Sequence, residues 1–155
     1  MRVFKGRSSK GIKGIVLSPN DQIVSLSIID NDKYSKNGKK SKDEKSEIKA
    51  KEKFILSITE NGFGKRSSSY EYRKTRRGGQ GILNIETSER NGGVVASFPV
   101  VEDEEVMLVT NNGKLIRLPV NGIRIAGRVT QGVTLLNTEK TERVVSVTRV
   151  KKNLE

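Results

Sequence analysis

The chain contains no cysteine and no histidine among its 155 residues. The first absence excludes disulfides and thiolate metal sites, and the second removes the commonest metal ligand and general base. Tryptophan is also missing, and four Phe and three Tyr make up all the aromatics, too few for a platform that stacks single-stranded bases. Hydrophobic residues reach only 33%, which allows a modest core and implies no large buried cleft. No apolar run approaches the roughly 18 residues needed to span a bilayer, and the opening MRVFKGRSSKG lacks the apolar region of a signal peptide. The expectation is a soluble, intracellular, non-catalytic chain with no membrane partner. Met1 and the terminal Leu154 and Glu155 read as expression or cloning remnants.

Positive charge, by contrast, is abundant. Thirty Lys and Arg against eighteen Asp and Glu give a formal net charge of +12. A polyanion is the expected partner, whether nucleic acid, an acidic membrane surface or an acidic protein.

Asn-Gly, the strongest short hairpin signal, occurs at Asn37, Asn61, Asn91, Asn112 and Asn121. FILSIT (54–59) and GKRSS flank the second pair, and VMLVT (106–110) and KLIRL flank the fourth. Residues 82–85 and 94–98 flank the third, and residues 116–120 lead into the last. Short strands at regular spacing predict an all-β fold. An offset of about 51 residues places Thr59 on Thr110, Gly62 on Gly113, Arg66 on Arg117, Arg77 on Arg128, Gln80 on Gln131 and Gly81 on Gly132. A truncated third copy lies upstream, where KGIKG (10–14) parallels RGGQG (77–81). The expected organisation is the end of an upstream blade (1–30), a Lys-rich insertion (31–53), two full blades (54–101 and 102–150) and a tail (151–155). A period near 50 residues with about four strands per unit signals radial blades. A closed ring needs more of them, so the chain is expected to come from a longer protein. The insertion, with nine Lys and five acidic residues, is too polar to offset its ordering entropy and reads as a solvated linker or a basic arm.

Enzyme motifs fail on inspection. The span 6–11 has P-loop outer spacing, but Ile12 stands where the lysine belongs. Gly79-Gln80-Gly81 begins a dinucleotide fingerprint that ends wrongly at Asn84. The acidic run 102–105 reads as a solvated turn rather than a metal site. Tyr34, Tyr70 and Tyr72 have no carboxylate set suited to Mg²⁺ beside them and are assigned packing or surface roles.

The cations fall into a pattern. Arg73, Lys74, Arg76 and Arg77 precede glycines that let backbone approach a phosphate closely. The upstream copy offers Arg7, Lys10 and Lys13, and the downstream one Arg124 and Arg128. Lys65, Arg66 and Arg117 on the hairpins complete the candidate set. Equivalent positions on a radial fold lie along one rim, which predicts a curved cationic stripe.

RRGGQG (76–81) is similar to the basic, glycine-rich box of the DNA gyrase A C-terminal domains. NGFGKR (61–66), TSERNGGVV (87–95) and GRVTQGV (127–133) resemble that family's last blades. The resemblance covers residues 2–30 and 54–150. It implies a β-pinwheel, a propeller-like ring whose blades exchange strands. It also implies that the domain wraps duplex DNA to support negative supercoiling by a type II topoisomerase. Its implied partners are double-stranded DNA, the remaining blades and N-terminal cleavage core of gyrase A, and the gyrase B protein. It implies a cytoplasmic, nucleoid-associated location, with ATP and Mg²⁺ needed by the parent enzyme alone. This copy departs from the box in having Thr75 where the family has Gln, and in sitting in a late blade. The alternatives are a propeller-type protein-interaction scaffold and the DNA-binding domain of topoisomerase IV.

Overall fold

A computed structural model of the chain describes residues 3, 5–29 and 52–150. Most of the Lys-rich insertion, with Tyr34 and the first Asn-Gly pair, lies outside the described residues, as do Met1 and the tail. The described residues form an all-β structure of two antiparallel sheets. The first has the order β3-β1-β2-β6, from β1 (Phe54–Thr59), β2 (Phe63–Ser68), β3 (Val94–Val100) and β6 (Val133–Thr134). The second has the order β5-β4-β7, from β4 (Glu105–Thr110), β5 (Leu115–Pro119) and β7 (Val144–Val150).

The 51-residue repeat reappears as geometry. β1 and β2 pair across a turn in which the Gly62 amide donates to the Thr59 carbonyl at 3.1 Å, and Gly113 donates to Thr110 at 3.0 Å in the second hairpin. Only the glycine of each Asn-Gly pair has a positive φ, +78° in both. These are therefore three-residue turns with a left-handed glycine, not the two-residue turns with two positive φ angles that Asn-Gly suggests. The third strand of each blade joins with the same slip in register, at Ile58/Thr59 and at Val109/Thr110.

The other two described Asn-Gly pairs do not lie between paired strands. Residues 82–85 form no regular strand, so Asn91-Gly92 turns the chain into β3 rather than linking two strands. Asn121-Gly122 lies in a 3-10 turn (Val120–Gly122) that closes with the Ile123 amide on the Val120 carbonyl at 3.0 Å.

Each repeat builds three strands of its own blade, and the second repeat gives a fourth to its neighbour. β6 comes from the second repeat but pairs with β2 of the first, Val133 opposite Gly64 and Thr134 opposite Phe63. Gly132 makes the approach possible. Its φ is +77°, and a Cβ there would sit 2.7 Å from the Gly64 carbonyl oxygen, closer than side-chain carbons come to backbone. The Gly62 carbonyl then accepts the Leu135 and Leu136 amides at 2.8 and 3.1 Å.

The core lies where the sheets meet. Leu56 and Ile58 of β1, Val100 of β3, Val106 and Leu108 of β4 and Val144 of β7 form one buried cluster with Val120 and Ile123. Burial of each such side chain contributes about 1.5–3 kcal/mol. Burial alternates along β4, with Val106, Leu108 and Thr110 inside, as expected for a strand covered on one face.

Candidate nucleic-acid interface

Between β2 and β3 the chain leaves the sheet, and both ends of the excursion are tied down. Ser68 caps a 3-10 turn (Ser69–Glu71) by accepting the Tyr70 amide at 3.2 Å. The Tyr72 hydroxyl then donates to Asn84 Oδ1, and Asn84 Nδ2 donates to Ser57 Oγ at 2.7 Å and Ser97 Oγ at 3.2 Å. Partial burial raises the Tyr72 pKa and keeps the phenol protonated. Residues 73–81 bulge out between these anchors, and all are exposed. No carboxylate among the described residues pairs with Arg73, Lys74, Arg76 or Arg77.

The upstream copy docks directly on this loop. The Gly78 amide donates to the Gly14 carbonyl at 2.8 Å and the Val16 amide to the Gly79 carbonyl at 2.9 Å, with Ile15 and Gly79 forming a parallel bridge. Arg7, Lys10 and Lys13 are exposed beside it, and no described carboxylate pairs with them. On the other side, the Glu86 amide donates to the Thr130 carbonyl at 3.2 Å, and Arg128 reaches the Leu83 carbonyl. Three glycine-bearing segments, one from each repeat copy, are thus linked in succession, the second to the third through residues 83 and 86 just beyond its loop. Arg124 is an exposed cation of the third.

Four of the sequence candidates have partners within the fold. Lys65 is fully buried, and its ammonium donates to the carbonyls of Gly127 and Arg128, both at 2.5 Å. Burial lowers its pKa to about 8; Glu71 opposes that shift and Arg128 adds to it. Arg66 is 4% exposed, donating to the Ile123 carbonyl at 2.7 Å and the Asn121 carbonyl at 3.2 Å, with its guanidinium over the Phe54 ring. These two side chains of β2 brace the loop of the following repeat and cannot reach a ligand. Arg117 is exposed but pairs with Glu105. Arg128 is half-buried, its amide bound to Glu71 and its guanidinium to Leu83.

The acidic run is not simply solvated. Glu102 faces Arg66 at 3.5 Å, Glu104 is buried and faces Arg149 at 3.5 Å, and Glu105 holds Arg117. The carboxylates therefore neutralise cations of the sheets and leave those of the loops uncompensated. Arg90, Lys140 and Arg143, which the sequence did not single out, gather around a separate recess. Only the packing of one repeat on the next brings them together. No helix among the described residues is long and apolar enough to cross a membrane.

A family model described as "DNA gyrase C-terminal domain, beta-propeller" matches residues 3–30, 53–100 and 104–151. The DNA gyrase A protein of Rickettsia typhi is 39% identical in an alignment covering 100% of this chain and 20% of that protein. Among solved structures, a DNA gyrase A C-terminal domain superposes with a TM-score of 0.59 at 28% identity, covering 63% of this chain and 33% of that one. The C-terminal domain of DNA topoisomerase IV gives 0.70 at 25% identity, covering 91% and 38%. The chain spans about a fifth of the length of the curated relative it matches.

Proposed function

Because the chain belongs to the DNA gyrase C-terminal domain family of beta-propellers, we propose that it holds duplex DNA by the phosphate backbone with little preference for sequence. The observation that carries this reading is the succession of three hydrogen-bonded loops with exposed cations that no described carboxylate neutralises: Arg7, Lys10, Lys13, Arg73, Lys74, Arg76, Arg77 and Arg124. Amides and guanidinium groups on glycine-rich backbone suit phosphate oxygens, whereas no described helix is available to enter a major groove. In the parent protein this piece would act with the other blades and the cleavage core of gyrase A, and with gyrase B, in a type II topoisomerase of the cytoplasm and nucleoid. ATP and Mg²⁺ would serve those other parts, and DNA binding by this chain needs neither.

Anisotropy titration of a short labelled duplex at several salt concentrations tests the reading. With about 6–10 phosphates contacted, affinity falls roughly 10³–10⁵-fold between 50 and 200 mM salt. Replacing Arg73, Lys74, Arg76 and Arg77 by Ala lowers the salt slope by about 3–4 on every duplex sequence. A flat salt response, or a loss confined to one sequence, would overturn backbone binding. The likeness to the topoisomerase IV domain supports the same mode for a sister enzyme; the supercoiling outcome of the complete enzyme separates the two.

A further inference from the structure

At the start of β2, the end opposite the 73–81 loop, the seam between the two blades opens into a recess of about 300 Å³. Arg90 enters it from the first repeat, and Lys140 and Arg143 from the second, with Asn137 and Thr138 on the same wall. Two of these cations are held in place. The Arg90 guanidinium lies 4.2 Å from the centre of the Phe63 ring and donates to Gln131. Arg143 Nη1 donates to the Lys140 carbonyl at 3.0 Å and the Glu142 carbonyl at 2.8 Å. Neither is neutralised by a described carboxylate, although two stand nearby. Glu139 lines the recess but accepts from Lys114 Nζ at 3.0 Å, and buried Glu142 takes the same ammonium at 2.9 Å. Lys114 thus offsets one of these two negative charges, and Arg90, Lys140 and Arg143 still leave the recess net positive. An arginine fixed by packing and carbonyls but lacking a counter-ion is arranged for an incoming anion, and a planar guanidinium suits phosphate oxygens in particular.

We infer that this inter-blade recess, which adjoins the third glycine-bearing loop at Gln131, is a phosphate-binding site that takes either a phosphodiester of the bound duplex or a free phosphate. In the first case the inference rests on the duplex-binding reading, extending it to the far end of the blade. In the second it stands alone. Its ligands come from two repeats, so occupancy also ties one blade to the next.

The test is a titration of the ¹⁵N-labelled chain with inorganic phosphate, following the Arg Nε–Hε signals and the amides of residues 137–143. Sodium chloride at matched ionic strength is the control. The expected result is a saturable shift of the Arg90 and Arg143 signals that chloride does not reproduce, with the Arg143 shift abolished by Arg90→Gln with Lys140→Gln. Shifts that merely follow ionic strength overturn the site, and because the unaltered protein supplies that result, a misfolded variant does not rescue the idea. Adding a short duplex separates the sources. Displacement of phosphate from these signals, with a salt slope about 1 smaller in the double variant, assigns a backbone phosphodiester. Saturable phosphate binding that duplex leaves undisturbed assigns a free phosphate. Should duplex binding fail altogether, the phosphate titration still decides the recess.

Discussion

Lys65 and Arg73 carry the same formal charge, yet one is spent inside the fold and the other faces solvent, and a titration can tell them apart. The folded pKa of Lys65, about 8, lies below its unfolded value of 10.5. Between those pH values the unfolded chain binds the extra proton, so this lysine makes folding more favourable as pH rises through the window. Denaturant unfolding from pH 7 to 10.5 should show the stability of the native chain gaining on that of Lys65→Met over the same interval. Duplex binding should keep its salt slope in that variant. A reduced slope would return Lys65 to the phosphate-binding set. Glu142 acts in the opposite sense. Hydrogen bonds from Lys114, from the Glu139 amide and from Thr110 hold its pKa below 4.5, so its contribution is present above that value and lost as pH falls through the lowered one. Glu142→Gln should flatten the acid limb of the stability profile, and an unchanged limb would show that the pairing adds nothing. The sequence could not sort these residues. A charge in a sequence names no acceptor, and the carbonyls that receive Lys65 and Arg66 belong to residues 55–63 positions downstream. The exposed cations at 73–77 were legible because glycine on one side and the lack of apolar residues kept them out of any strand.

At the level of the element, the two Asn-Gly hairpins were readable from local chemistry because the turn and both strands adjoin in sequence. β6 was not. It is only two residues long and finds its partner about 70 positions upstream, so neither alternation nor a turn signal marks it. Residues 82–85, which the apolar pattern suggested as a strand, occupy the corresponding place in the first repeat, where the described residues supply no β2-like edge to receive them. Glycines record the difference between a filled edge and an open one. A Cβ on Gly62 would lie 2.1 Å from the Leu136 carbonyl oxygen, whereas one on Gly113, its repeat equivalent, meets nothing within 4 Å. Gly132→Ala should therefore cost about 2–5 kcal/mol, combining left-handed backbone strain with overpacking against Gly64. Gly113→Ala should cost only the backbone part, about 1–3 kcal/mol. Equal losses in chemical denaturation would mean that β6 is not held by close approach of its glycine.

For the molecule as a whole, the question is how much bending a rim of this extent can impose. Radial repetition places each glycine-bearing segment near the next, and the proposed reading takes their cations to follow the curvature of the blades. Curving a duplex by 40–90° over 20–30 bp costs of order 1–6 kcal/mol, which contacts must offset along the whole arc. On the proposed reading, three neighbouring loops would hold the duplex at one short stretch and leave the flanking DNA free to stay straight. On that reading binding would be set by the number of local phosphate contacts, and wrapping by how far around the ring those contacts continue. A nicked circle saturated with this chain, religated and freed of protein, should show a linking number close to that of DNA closed alone, even where anisotropy reports full binding. The same assay with a complete domain of this family should trap writhe of one sign. A clear linking difference with the present chain would mean that local contact already fixes the path of the duplex, through a stronger bend at each loop than smooth wrapping requires.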